Sequence, residues 1–198
     1  MTADLMRPIP MGETIRITTE IRRLGGRLQV VDLLALVDEK AVACASIQAL
    51  RPGEYVGEIN AGPMSPIEVV PPEQIEIDPR PRPVHLGEVR RLITGHEPER
   101  RFTWFRDRVE LVEGEVMDGF VRVAAGADWV SPFSSFTGSG LAFINADFTV
   151  YLHRLPVGEW IGFEIADYQV HQNVALSTCH LYDTSGRIGT VACAALPE

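Results

Sequence analysis

Two side chains in this sequence have types suited to chemistry, one to act as a base and one to orient a water or a carbonyl. Asp128, in GADW, is a carboxylate, and Asn145, in INAD, is an amide. Met117, Val121 and Ala124 lie eleven, seven and four residues before Asp128, so on a helix the aspartate shares their apolar face. A carboxylate turned toward a core is costly unless hydrogen-bonded, and its pKa tends to rise. A raised pKa suits a general base. A plainer reading stays open, in which the helix frays and Asp128 meets solvent or a backbone amide near Ser131. Asn145 opens a strand, where its amide can orient a water or a carbonyl; a polar residue at a strand start is also common for no catalytic reason.

Other titratable residues fit chemistry less well. His153 and His171 suggest the acid/base work of a hydratase, but His153 alternates onto the polar face of its strand, away from the helix. The histidines at 85, 96, 153, 171 and 180 show no ligand spacing on one element, so no metal is expected. Cys179 and Cys193 sit among small apolar residues with no local base, which argues against a nucleophile. Arg90-Arg91 and Arg100-Arg101 could meet phosphates, but Glu88, Glu97 and Glu99 partly neutralise them. No cofactor is implied.

The 198-residue chain is long enough for a substantial core, and 45% hydrophobic with 23% charged residues is ordinary for a globular protein. A formal charge of −9 disfavours a nucleic-acid partner. The basic residues are arginines apart from Lys40, and arginine suits bidentate contacts with anions. The start, MTADLMRPIP, lacks a basic and then apolar leader, and no run approaches a membrane span. Three cysteines without CxxC spacing read as reduced thiols of a cytoplasmic protein.

The elements that must position these residues fall into three stretches. Residues 1–51 read as a partial unit, an antiparallel meander with strands near Ile15–Ile21, Leu28–Val37 and Ala41–Leu50, turned at Gly25-Gly26 and Asp38-Glu39-Lys40. Residues 52–98 carry nine prolines and read as a connector without regular structure; Ile67, Val69, Val70, Ile75 and Ile77 argue that it packs on a surface. Residues 99–198 read as a complete unit. A strand over 99–112 precedes a helix within Glu113–Val130, its body 115–130, ended by Ser131-Pro132 and a loop to Gly140. Four strands follow, over 143–153, 159–168, 174–182 and 187–196.

The two meanders repeat each other. RPIPMGE, Arg7–Glu13, matches HRLPVGE, His153–Glu159, and VACA at 42–45 recurs at 191–194. The order points to duplication, with the first copy lacking the leading strand and helix. A twisted sheet without its helix exposes apolar surface. Another chain, the connector or residues before Met1 would then cover it.

INADFTVYLHRLPVGEW followed by CHLYDTSGRIGTVACAAL resembles the C-terminal half of the double-hotdog, acyl-CoA thioesterase II-like family. ADLMRPIPMGE followed by GGRLQVVDLLALVDEKAVACAS resembles the second part of its N-terminal half. The resemblance implies an α+β double hotdog, antiparallel sheets wrapped around a helix, hydrolysing a fatty acyl-CoA by direct attack of water. An aspartate, a hydroxyl residue and a glutamine hold that water in the family. Their positions match Asp128, Asn145 and Cys193 or Ala194, so an amide replaces the hydroxyl and no glutamine stands at the third position; Gln48 and Gln172 are distant substitutes. The alternative is a catalytically degenerate acyl or acyl-CoA-binding or assembly protein. A homo-oligomer formed by hotdog sheet pairing is also expected.

Overall fold

The computed structural model describes residues 1–54, 69–75, 87–93, 101–107, 109–137 and 140–197. They form two compact units, Met1–Pro66 and Ile67–Glu198.

The first unit holds β1 (Thr2–Leu5), β2 (Arg16–Leu24), β3 (Leu28–Val37) and β4 (Lys40–Leu50). They pair antiparallel in the order β2-β3-β4-β1. Asp38 and Glu39 join β3 to β4 with φ of 49° and 61°. Both lie in the left-handed region that a two-residue hairpin matching the strand twist requires. The register puts Ile17, Thr19 and Ile21 beside Ala35, Leu33 and Val31, and these beside Ala43, Ala45 and Ile47. One face is therefore almost wholly apolar, and Ile17 and Ile21 are each 63% exposed. The other face carries polar pairs: Ser46 donates to Asp32 at 2.8 Å and the Cys44 thiol to Asp4 at 3.3 Å. No helix belongs to this unit among the described residues.

The second unit opens with a 3-10 turn (Pro72–Gln74), followed by β5 (Gly87–Ile93) and β6 (Arg101–Asp107), then α1 (Gly119–Ala127) and α2 (Val130–Ser135). A short pair, β7 (Phe136–Thr137) and β8 (Gly140–Leu141), leads to β9 (Phe143–Asn145), β10 (Asp147–Leu152), β11 (Ile161–His171), β12 (Val174–Asp183) and β13 (Gly186–Pro197). The sheet order is β10-β13-β12-β11-β6-β5, with β9 also on β13. Within it, β11-β12-β13-β10 repeats the order β2-β3-β4-β1. The bulge at Ala35/Leu36 matches that at Leu181/Tyr182, at the same separation that relates Glu13 to Glu159. The duplication expected from the motifs is thus also one of topology.

Three boundaries differ from expectation. Residues 113–118 are not helical: Gly114 takes φ +77°, and the Asp118 carboxylate caps α1 by accepting from Val121 N at 2.8 Å. The predicted stop at Ser131-Pro132 is instead the first turn of α2. A proline costs nothing there, because the first amides of a helix have no internal acceptor. The predicted strand over 99–112 ends at Asp107. The connector also departs from its expected irregularity, because residues 87–93 form β5. No proline lies between Pro83 and Pro98, so that stretch keeps its amide donors.

The connector packs as its apolar residues predict. Ile75, with Val69 and Val70, joins Phe102, Trp104, Trp160 and Tyr182 in one cluster, and Trp104 Nε1 donates to the Val70 carbonyl at 2.9 Å. Ile67 and Ile77 lie outside the described residues. The helices take another side: α1 rests on β10 and β11, and α2 on β9, β11, β12 and β13. Val123, Ala127, Val130 and Phe133 are buried. Gly126 allows the close approach, since a Cβ there would stand 3.1 Å from the Phe163 ring.

The HR of the repeated motif has a structural task. Arg154 forms a bidentate pair with Asp183, which is fully buried in the β12–β13 turn. Asp183 also accepts from Val157 N, Ser185 N and Ser185 Oγ at 2.7–2.8 Å. One carboxylate thereby binds the loop after β10 to the turn before β13.

Candidate active site

Helix α1 ends at Ala127, so Asp128 sits at its C-cap with φ −62° and ψ −20°. The chain turns there, because Trp129 N donates back to Gly126 O at 3.0 Å before α2 begins. The carboxylate consequently leaves the apolar face of the helix and is exposed, unlike the core-facing position predicted from the spacing.

Asn145 ends β9, opposite Ala195 of β13. Its Nδ2 donates to the Asp128 backbone carbonyl at 2.8 Å and to Asp128 Oδ1 at 2.7 Å. The fold thus brings together the two residues singled out in the sequence. With its amide hydrogens turned to Asp128, Asn145 leaves its Oδ1 buried and without a hydrogen-bond partner among the described residues.

A break in the sheet presents Asn145 at this place. β9 pairs with residues 195–197 and β10 with 189–192, leaving Cys193 and Ala194 between them. Asp147 fills the gap by accepting from Ala194 N at 2.6 Å, and Ala146 N donates to Ala194 O at 2.9 Å. Sequence reasoning gave Asp147 no role. Its recurrence as Asp4 in the TAD of the first unit was the available signal.

Of the two positions matched to the glutamine, Cys193 is buried and Ala194 is half-buried. Burial pushes the Cys193 thiol up to about 11, and the negative charges of Asp147 and Asp128 add to this. Opposite it on β12 stands Ser177, also buried. Gln172 is no substitute, because it forms the exposed β11–β12 hairpin turn at φ 47°, and Gln48 is exposed on β4 of the first unit.

The remaining candidates are placed elsewhere. His153 and His171 are exposed, and neither shares a described hydrogen bond with Asp128. His180 is half-buried 3.8 Å from Glu164; burial and Arg187 lower its pKa. Burial pushes the Cys179 thiol up to about 12, the opposite of what a nucleophile needs. Arg101 donates to the Phe133 and Ser134 carbonyls at the end of α2, at 3.2 and 3.3 Å. The side chains of Arg90, Arg91 and Arg100, with His85 and His96, lie outside the described residues. No cluster of three or more His, Cys, Asp or Glu suited to a metal occurs among the described residues. No described helix is long and apolar enough to cross a membrane.

The sequence profile of the acyl-CoA thioesterase C-terminal domain matches residues 61–194. No curated protein sequence matches the chain. Among solved structures, a provisionally assigned thioesterase from Novosphingobium aromaticivorans is similar over 100% of this chain and 78% of its own, with TM-score 0.80 at 18% identity. An acyl-CoA thioesterase II from Mycobacterium marinum covers 100% and 78% likewise, with TM-score 0.67 at 16% identity. A hot dog fold protein from Alicyclobacillus acidocaldarius covers 100% and 77%, with TM-score 0.75 at 15% identity. The α+β architecture is that of a double hotdog, whose described helices lie in the second unit.

Proposed function

The chain belongs to the acyl-CoA thioesterase family defined by that C-terminal domain, and on this premise we propose that it hydrolyses an acyl-CoA thioester at Asp128 and Asn145. The supporting observation is the pair of hydrogen bonds, 2.7 and 2.8 Å, by which Asn145 fixes both the carboxylate and the backbone of Asp128.

In this reading, a water gives one hydrogen bond to the Asp128 carboxylate and the other to Asn145 Oδ1, the buried acceptor that has no partner among the described residues. Its oxygen attacks the thioester carbonyl carbon while Asp128 takes a proton. The tetrahedral intermediate then collapses and the C–S bond breaks. The departing CoA thiolate takes the proton from Asp128, which leaves a carboxylic acid and a free thiol. Asp128 is exposed in the free chain, and a bound acyl-CoA that covers it strengthens it as a base by excluding water. Neither a metal nor a covalent intermediate is required.

Thiol release from acetyl-, octanoyl- and palmitoyl-CoA by the native chain and by Asp128→Asn tests this. A loss of roughly a hundredfold or more in kcat is expected for the variant. Equal rates for the two proteins, or turnover by neither, overturns the proposal. Binding of acyl-CoA without turnover would instead support a non-catalytic acyl-CoA-binding protein, a reading that the absent glutamine favours.

A further inference from the structure

Ser177 is a buried hydroxyl in a place that suits an apolar side chain. Its strand turns Ala175, Ser177, Cys179 and Leu181 inward, and all four are buried. Ser177 pairs directly with Cys193, and the inward residue two further along β13 is Ala195, the partner of Asn145. Ser177 and Cys193 thus stand opposite each other in the row next to Ala175, Ala195 and Asn145, and Asn145, diagonal to Cys193, bonds Asp128. A buried hydroxyl is costly unless it is hydrogen-bonded, and β-branched apolar residues suit a strand better. The Ser177 hydroxyl bears on the Cys193 thiol, favouring its ionised form against the burial that opposes it.

The proposed water also has an unmet need here. Its two hydrogens go to acceptors, Asp128 and Asn145 Oδ1. One lone pair attacks the carbonyl, and the other requires a donor. Asn145 has turned its amide hydrogens to Asp128. Cys193, on the part of β13 that β9 and β10 leave unpaired, carries a thiol hydrogen that can serve.

We propose that Ser177 is a positioning residue that acts through Cys193: its hydroxyl donates to the sulfur, and the thiol hydrogen is thereby directed at the water held by Asp128 and Asn145. No proton leaves Ser177 or Cys193 in this arrangement. The inference rests on the thioesterase reading above and assigns it a third polar arm built from two residues.

Steady-state kinetics with octanoyl-CoA tests it on the full chain, with Asp128→Asn alongside. Ser177→Ala and Cys193→Ala should each lower kcat roughly ten- to hundredfold, as for loss of a support behind a catalytic group, with KM within about twofold. The double variant should be no worse than either single one, because the two residues act in series. Ser177→Thr, which keeps the hydroxyl, should recover most of the rate. Wild-type kcat in both alanine variants while Asp128→Asn is inactive overturns this inference alone. So does a rise in KM without loss of kcat, or additive losses in the double variant. Should Ser177→Ala fail to fold, Cys193→Ala reads the same arm from its other end. Unimpaired turnover by Asp128→Asn overturns the thioesterase reading and this inference with it.

Discussion

Asn145 holds Asp128 twice through one nitrogen, at the backbone carbonyl (2.8 Å) and at Oδ1 (2.7 Å). The first bond satisfies a carbonyl at the end of α1, and the second fixes the carboxylate relative to β9. Asn145→Ala removes both. We expect a fall in kcat of roughly a hundredfold and a loss of about 1 kcal/mol in stability from the freed carbonyl. Thermal unfolding beside steady-state turnover separates the two effects, since a purely structural asparagine would lower stability and leave kcat unchanged.

Asn145→Asp tests the same contact by charge. Two carboxylates at this separation cannot both ionise readily, so the pair holds a proton and its apparent pKa rises. A carboxyl whose folded pKa lies above its unfolded value favours the folded state while protonated and loses that advantage as pH rises. The variant should therefore match the native chain near pH 4 and fall behind it toward pH 8. Melting temperatures across that range check this; a constant difference at all pH values would show that the two carboxyls do not meet. The basic form needed for attack would also be reached at higher pH, which moves the rising limb of the activity profile upward.

The Arg154–Asp183 clamp sets acid stability. Burial alone would push Asp183 up, but the Arg154 guanidinium, the Ser185 hydroxyl and the Val157 and Ser185 amides outweigh it and hold the carboxyl well below its usual range. A depressed folded pKa contributes stability that is complete above the unfolded value of about 4 and is lost as pH falls below it. Asp183→Asn should flatten the acid limb of the stability profile. Arg154→Ala leaves a buried carboxylate unpaired and should cost about 3 kcal/mol near neutral pH. Denaturant titrations at pH 3 and pH 7 check both, and an unchanged acid limb in Asp183→Asn would remove the clamp from the account.

Much of this arrangement was written in short-range patterns. The period-two strands, the repeated RPIPMGE and HRLPVGE and the two VACA stretches gave the meanders and their duplication, because a half-buried strand must alternate and a duplicated turn keeps its glycine. Asp128 was legible as a carboxylate set against apolar helical spacing, and Asn145 through the family resemblance at the start of a strand. The turn at Asp128 was not. Helical periodicity continues through Met117, Val121, Ala124 and Asp128, whereas the break between α1 and α2 depends on packing against the sheet. Ser177 and Asp147 were hidden for a related reason: each acts across strands, on Cys193 and on Ala194 N, and strand register is invisible until the sheet is assembled. Arg154 was seen in a motif but not understood, since Asp183 lies far along the chain.

Gly189 marks the tightest strand contact. It pairs with Leu152, and a Cβ there would stand 2.0 Å from the Tyr151 carbonyl oxygen and 2.9 Å from Leu152 Cδ2. The backbone oxygen cannot move without opening the β10–β13 ladder. Gly189→Ala should destabilise the chain by about 3 kcal/mol, whereas Gly53→Ala, which meets nothing within 4 Å, should be close to neutral. Chemical denaturation of the two variants makes the comparison, and equal stabilities would mean that β10 does not lie so close to β13 in solution.

The three thiols should differ in reactivity in a way that reports on the candidate site. Burial pushes Cys179 up to about 12 and Cys193 up to about 11, and it also raises Cys44, helped by the hydrogen bond to Asp4. Only Cys44 is not fully buried. A disulfide reagent attacks through the thiolate, and its access depends on exposure. At pH 8 the native chain should therefore release at most one equivalent of chromophore from a water-soluble aromatic disulfide, and Cys44→Ala should release none. Full unfolding in guanidinium should expose all three. Rapid labelling of Cys193 in the native chain would mean that the strand rows holding Ser177, Cys193 and Asn145 are open to solvent, and the burial of Asn145 Oδ1 would have to be abandoned.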